Sequence, residues 1–305
     1  MIQPVVYAGE RPGPRLIVLG AVHGNETCGA RAIERVIAQL SAGRLAIVAG
    51  RLTLVPVANR KAYEQGTRSG DRNLNRRLAP TASPRDNEDR IAGELCPLLA
   101  DNEVLLDLHS FRTGGPPFAM LGPQDNNGAL QPFSQAAREQ ALSMRLGVQR
   151  AMDGWLETYA AGASRRGGDA ACGVGTTEYM RSVGGCAVTL ECGQHEDPQA
   201  PQVAYRAIVN TLAHLRLIDA PDPAPAATME GLRLREVIDR GHPGDRFERR
   251  WRSFDAVRAG ERIGTRQGGS AVTAPFDGFV VFPDERADPG SEWFYLAQRD
   301  ARLTR

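Results

Sequence analysis

Lysine is almost missing from this chain: Lys61 is the only one among 37 basic residues. Schiff-base chemistry, a phosphate-cradling lysine loop or a carrier lysine would have to use that one residue. Cysteine is scarce as well. Cys28, Cys96, Cys172, Cys186 and Cys192 are odd in number and contain no CxxC pair. That argues against a disulfide scaffold and fits a reducing, cytoplasmic setting. Net charge is nearly absent, with 37 basic against 36 acidic residues for +1, so there is no electrostatic case for nucleic acid. No apolar run approaches the ~20 residues that span a bilayer, so no membrane partner is expected. Met1–Glu10 lacks a basic start running into an apolar stretch, and does not read as a signal peptide. What remains, 42% hydrophobic and 24% charged over 305 residues, is ordinary globular usage in a chain long enough to bury a sizeable core.

The apolar pattern sets the organisation. Arg15–Val22 reads as a strand ending at the turn His23-Gly24-Asn25-Glu26. Ala30, Ile33, Val36, Ile37 and Leu40 then recur at helical spacing. Leu45–Ala49 and Leu52–Val57 read as strands, and Ala58–Thr81 as a long polar loop of the kind that carries function. A helix marked by Ile91, Leu95, Leu98 and Leu99 precedes a strand, Val104–Leu108, that runs into His109. Ser134–Ala161 has the pattern of a long helix, and Val188–Leu190 that of a strand leading into Glu191. Strands alternating with helices predict an α/β domain over residues 1–218 with a central mixed sheet flanked by helices. A linker rich in proline and alanine is expected at 219–229, then a small β domain at 230–305.

In open α/β sheets the site lies beyond the carboxyl ends of the strands. Three predicted strand ends finish in groups that ligate metals or move protons: His23 with Glu26, His109, and Glu191. Two histidines and one carboxylate leave a position open, the arrangement of a catalytic rather than a structural zinc. His23 and Glu26, three apart on one turn, can face a single ion. Singly, each residue is as easily a turn or core side chain; their shared position after strands is what argues for a site. His195, His214 and His242 read as surface or helix residues, and Cys192 as a buried thiol beside the site.

The strings H-G-N-E at His23–Glu26, N-L-N-R at Asn73–Arg76 and D-L-H at Asp107–His109 resemble the succinylglutamate desuccinylase/aspartoacylase family, part of the zinc carboxypeptidase superfamily. The resemblance covers about residues 15–217. It implies a zinc-carboxypeptidase-like fold with one zinc per chain, held by His23, Glu26 and His109. It also implies Glu191, in T-L-E-C-G, as the catalytic acid/base, and Arg68 as the cation facing the developing oxyanion. Asn75 and Arg76 match the pair that holds the substrate carboxylate. Arg181 has the ten-residue offset from Glu191 of a second substrate arginine, and Tyr295 is a candidate for the family's C-terminal tyrosine, while Trp293-Phe294-Tyr295 read better as core of the C-terminal domain.

The chain also departs from the family pattern. Asn73 stands where an aspartate is usual, which removes a carboxylate expected to orient the neighbouring arginines. Asn59-Arg60 replaces the commoner Asn-Pro. The family's substrate tyrosine falls near Thr177, so that either Tyr179 serves in its place or no residue does. The expected activity is hydrolysis of the amide bond of a small N-acyl amino acid or β-aspartyl dipeptide. The several arginines suggest a substrate with at least one carboxylate and favour two. A carboxypeptidase acting on larger peptides and a non-catalytic binding member of the fold are the alternatives, and a homo-oligomer is left open.

Overall fold

Apolar alternation in a few strands builds the scaffold, which a computed structural model describes for residues 1–304. Strand β1 (Val5–Ala8) leads into β2 (Arg11–Leu19). In β2, Leu16 and Val18 enter one apolar core while Ile17 and Leu19 enter a second on the opposite face. That is the period-two pattern of a strand covered on both sides. Helix α1 (Cys28–Ser41) covers the first core with Ile33 and Val36. Then come β3 (Ala49–Val55), the short α2 (Arg60–Gln65), α3 (Asn87–Ala100) and β4 (Val104–Phe111). They are followed by β5 (Phe118–Met120), α4 (Ala136–Ser143), β6 (Arg150–Asp153) and α5 (Trp155–Arg165). Helix α6 (Thr176–Ser182), β7 (Cys186–Gln194) and α7 (Ala200–His214) complete the first part.

The last quarter is all strand: β8 (Glu230–Asp239), β9 (Arg246–Phe247), β10 (Ala256–Val257) and β11 (Arg262–Thr265), then β12 (Ala271–Thr273), β13 (Gly278–Val281) and β14 (Glu292–Arg299). Eleven strands form one mixed sheet in the order β1-β3-β2-β4-β7-β5-β6-β8-β14-β13-β10, and β12-β11-β9 form a small antiparallel sheet. Helices α1 and α7 pack on one face, α3 and α6 on the other. The fold is thus α/β with a flanked mixed sheet and a β-rich C-terminal part. The large sheet continues without a break into that part, because β6 pairs in parallel with β8. The linker is tied down as well: the Ala226 N–H donates to the Met144 carbonyl at 2.7 Å, and Met229 is buried in the first core. Arg302 clamps the far end, donating to the carbonyls of Gly122 and Pro123 at 2.9 and 3.0 Å.

Two expectations about local structure fail. The helical pattern over Ser134–Ala161 is broken into α4, β6 and α5. Gly147 and Gly154 sit at φ of 87° and 84°, a left-handed backbone that an α-helix cannot contain, and Gly154 caps α5 instead. Likewise the proposed strand Leu45–Ala49 contributes only Ala49, and β3 continues through Gly50 at φ 64°. The chain passes from β2 to β3 on one side and later to β4 on the other. The ends of β2 and β4 therefore flank a crevice at a topological switch point, where open α/β sheets bind ligands.

Candidate metal centre and substrate pocket

The turn after β2 brings the first two groups together. The Glu26 N–H donates to the His23 carbonyl at 3.1 Å, closing the turn. A side chain on Gly24 would meet the Ala62 carbonyl carbon at 2.0 Å, so only glycine lets α2 lie this close. The polar loop over 58–81 is held by Glu88, which is buried. Its carboxylate accepts from the N–H groups of Gly70, Asp71 and Arg72 at 3.0, 3.0 and 3.1 Å, and from Asn59 Nδ2 at 2.8 Å. Asn59, in place of the usual Asn-Pro context, also caps α2. This fastening sets Arg68 on one side and Asn73–Arg76 on the other.

His23, Glu26 and His109 converge, and one donor atom from each lies within 4.8 Å of the others. Glu26 Oε1 is 2.9 Å from His23 Nδ1, and Glu26 Oε2 is 2.8 Å from His109 Nδ1. The far nitrogens are already engaged. His23 Nε2 lies 2.9 Å from Asn73 Oδ1, and His109 Nε2 lies 2.9 Å from Asp107 Oδ2. The orientation of the Asn73 amide follows from its second contact, since Oδ1 also accepts the Asn75 N–H at 2.9 Å. His23 therefore carries its proton on Nε2 and turns its Nδ1 lone pair toward Glu26 Oε1, whereas His109, set between the Asp107 and Glu26 carboxylates, hydrogen-bonds to both. At His23 a lone pair faces a lone pair, which is repulsive unless a cation sits between them, and among the described residues its buried Nδ1 has no hydrogen-bond partner. The donor set fits a divalent transition metal, zinc among them.

The charges respond to this crowding. Burial and Arg68 push His23 down to about 4. Burial alone would lower His109, but the Asp107 and Glu26 carboxylates outweigh it and hold the ring well above its usual range. Burial alone would raise Glu26, and the two histidines outweigh it and hold it well below. Asn73 does not orient the arginines, as its position in the motif suggested; it fixes the tautomer of His23. Asp107 holds the far nitrogen of His109 and also accepts the Thr176 hydroxyl.

Glu191 arrives on the adjacent parallel strand, directly beside His109 in register. Among the described residues it makes no ion pair, and its buried Oε2 has no hydrogen-bond partner. Burial pushes its carboxyl up to about 8. Arg68 Nη1 donates to Glu26 Oε1 at 2.8 Å. Asn75 Oδ1 accepts the Thr176 N–H at 2.8 Å and the Thr176 hydroxyl at 3.3 Å, and its side-chain amide nitrogen donates to no group among the described residues. Arg76 lies against the rings of Tyr159 and Trp155, 4.3 and 5.3 Å from their centroids. Arg181 borders the same pocket, with its guanidinium bound to Glu139, Glu178 and the Ala187 carbonyl. Tyr295 also lines the pocket, while its neighbours Trp293 and Phe294 enter the core of the C-terminal part. The β14 register shifts between Glu292 and Phe294, which permits this division.

Tyr179 is not at the pocket; it packs in the core beneath α3, and Thr177 lines the wall instead. His195 is a residue that local pattern misplaced. It borders the pocket, with Nδ1 2.8 Å from Ser110 Oγ. The only sequence signal for it was its place four residues past Glu191, at the end of the same strand. Trp155 and the tail residues Asp284 and Glu292 carried no signal at all.

The family is decided by a match over residues 12–217 to the succinylglutamate desuccinylase/aspartoacylase catalytic domain. The chain belongs to that family. Its members are hydrolases that remove acyl groups, and the fold agrees. A succinylglutamate desuccinylase/aspartoacylase from Rhodobacter sphaeroides superposes with a TM-score of 0.75 at 20% identity, covering 98% of this chain and 90% of that one. An aspartoacylase family protein from Mesorhizobium loti gives 0.71 at 22% identity over 99% and 90%. The product-bound ectoine utilization protein EutE (DoeB) from Ruegeria pomeroyi gives 0.72 at 20% identity over 98% and 88%. A comparison with curated proteins gives no match. No helix among the described residues of this desuccinylase/aspartoacylase family member is long and apolar enough to cross a membrane.

Proposed function

We propose that the chain is a zinc-dependent amidohydrolase that cleaves the amide bond of a small N-acyl amino acid or β-aspartyl dipeptide. The observation that carries this reading is the convergence of His23 Nδ1 and His109 Nδ1 on the Glu26 carboxylate, with the Glu191 carboxyl, its Oε2 unpartnered among the described residues, in register beside them. When bound by His23, Glu26 and His109, zinc supplies Lewis acidity that polarises a carbonyl and acidifies water. Glu191 takes the proton of the attacking water and returns it to the leaving amine. Its burial favours the protonated state, which suits the second of those transfers. Arg68, held at the edge of the metal cluster by Glu26, faces the negative charge that develops on the carbonyl oxygen. Arg76 and the Asn75 amide receive the carboxylate of the amine half, the guanidinium in a two-pronged grip. Tyr295 and Trp155 close the aromatic side of that pocket.

A small substrate is favoured over a polypeptide. The cavity measures about 230 Å³, and Phe282, Pro283, Asp284 and Tyr295 of the C-terminal part wall it in. A hydrolysis screen of the zinc-loaded protein against N-acyl amino acids, β-aspartyl dipeptides and longer peptides tests the reading. Release of free amino acid from the first two groups, abolished in Glu191→Gln, is the expected result. Turnover of long peptides alone would favour a carboxypeptidase, and no turnover of any would favour a binding protein.

A further inference from the structure

Arginines crowd the pocket, and their number alone suggests a substrate with two carboxylates. Their partners change that count. Arg181, with its side chain 3% exposed, meets Glu139 at 2.8 Å and Glu178 at 3.3 Å and donates from Nη2 to the Ala187 carbonyl, so two carboxylates already share its one charge. Arg112 is paired with Asp284 at 3.1 Å. Arg68 is bound to Glu26, so its charge belongs to the metal cluster. Among the described residues, Arg76 is the pocket arginine that enters no ion pair; it has two aromatic faces and the Asn75 carbonyl, which Nη1 reaches at 2.8 Å. The acid beside it, Glu292, is held by Arg166 at 3.0 Å, and Arg166 also binds Asp239. Away from the metal cluster, every other cation on the wall is matched by at least one carboxylate.

We propose that the substrate carries a single uncompensated negative charge, the carboxylate that Arg76 receives, and that any further charge on it is a cation or half of a zwitterion. The inference rests on the hydrolytic reading above and narrows it. A second free carboxylate would meet only cations whose charge is already shared with acids, and drawing Arg181 away to it would leave Glu139, which is fully buried, without its cation. Breaking a buried pair in that way is strongly unfavourable. A zwitterion makes no such demand, because its ammonium and carboxylate can lie along the Glu178–Arg181 pair with signs opposed.

Three ligands of one amino acid separate the cases: N-acetyl-L-alanine, N-succinyl-L-alanine and β-L-aspartyl-L-alanine. The last two differ only by an ammonium group. Calorimetric binding to zinc-loaded Glu191→Gln and kcat/KM of the zinc-loaded wild type are measured for all three. The expected order puts the succinyl compound last by about tenfold or more, with the added ammonium restoring the loss. Tighter binding or faster turnover of the succinyl compound overturns the proposal, as does equal binding of all three or binding of none. If the expected binding order holds but nothing is hydrolysed, the hydrolytic reading fails and the charge inference stands. If the variant does not fold, the wild-type kcat/KM order decides alone.

Discussion

Glutamine at position 191 keeps the shape of the side chain and removes its ionisation, and the stability of the metal-free protein reads that change directly. Burial pushes the Glu191 carboxyl from an ordinary 4.5 up to about 8. Between those values the folded chain holds a proton that the unfolded chain releases. Such a group contributes its full stability below pH 4.5, and the contribution is lost as pH rises through 8. One proton corresponds to about 1.4 kcal/mol per pH unit, so the whole window amounts to at most ~5 kcal/mol. The pocket is open to water at this wall, which reduces the figure to ~2–4 kcal/mol. The Glu191→Gln chain lacks this dependence, while the His23, Glu26 and His109 cluster is common to both chains. Urea unfolding of chelator-treated wild type and variant, at about pH 5.5 and about pH 8.5, gives the difference. The variant should gain ~1–3 kcal/mol relative to wild type across that interval. Zinc should shrink the gain, because a cation beside the carboxyl favours its ionised form. A difference flat to within about 0.5 kcal/mol would refute the reasoning, since it would mean that the carboxylate is already ionised in the folded pocket. With zinc present the same variant should lose turnover by ~10²–10⁴-fold.

His109→Ala should purify without zinc and without activity, as elemental analysis and a hydrolysis assay will show. Asp107→Asn should keep the fold but weaken zinc by ~10–100-fold in a chelator competition, because His109 Nε2 loses its carboxylate partner. Arg76→Ala should cost ~2–5 kcal/mol in kcat/KM on a carboxylate substrate and little on the matching amide, with Arg76→Lys recovering only a minor part. In the C-terminal part, Asp245 accepts from the N–H groups of Gly241, His242 and Gln267 and from Arg266. Against the effect of burial these donors bring it down to about 2. Asp245→Asn should therefore cost ~1–3 kcal/mol near neutral pH. That contribution is present above 3.8 and is lost as pH falls through about 2, so the two chains should converge in acid denaturation.

His23, Glu26, His109 and Glu191 were legible because each follows a short apolar run, and the polar groups that interrupt such a run are marked locally, although β4 and β7 continue past His109 and Glu191. The run Leu16–Leu19 alternates between two cores, and the polar turn after it announces where the chain leaves the sheet. The same local logic explains the failure at Ser134–Ala161. Apolar spacing there fits a helix, but Gly147 and Gly154 carry the backbone into a region that spacing does not report.

Charge pairing was not legible. Arg181 stood out by its offset from Glu191, yet its partner Glu139 lies 42 residues away, and nothing near either residue marks the pair. Asn73 was read as a lost support for arginines, whereas it reaches 50 residues back to His23. His195 and the walls supplied by Asp284 and Glu292 likewise depend on where the last quarter of the sheet folds against the first. Amino-acid order writes periodicity and turn chemistry over a few residues, and these determine the elements and the residues at their ends. Which cation meets which anion is set by the packing of elements distant along the chain. An ion pair forms only when folding brings its charges within a few ångströms and removes the water between them.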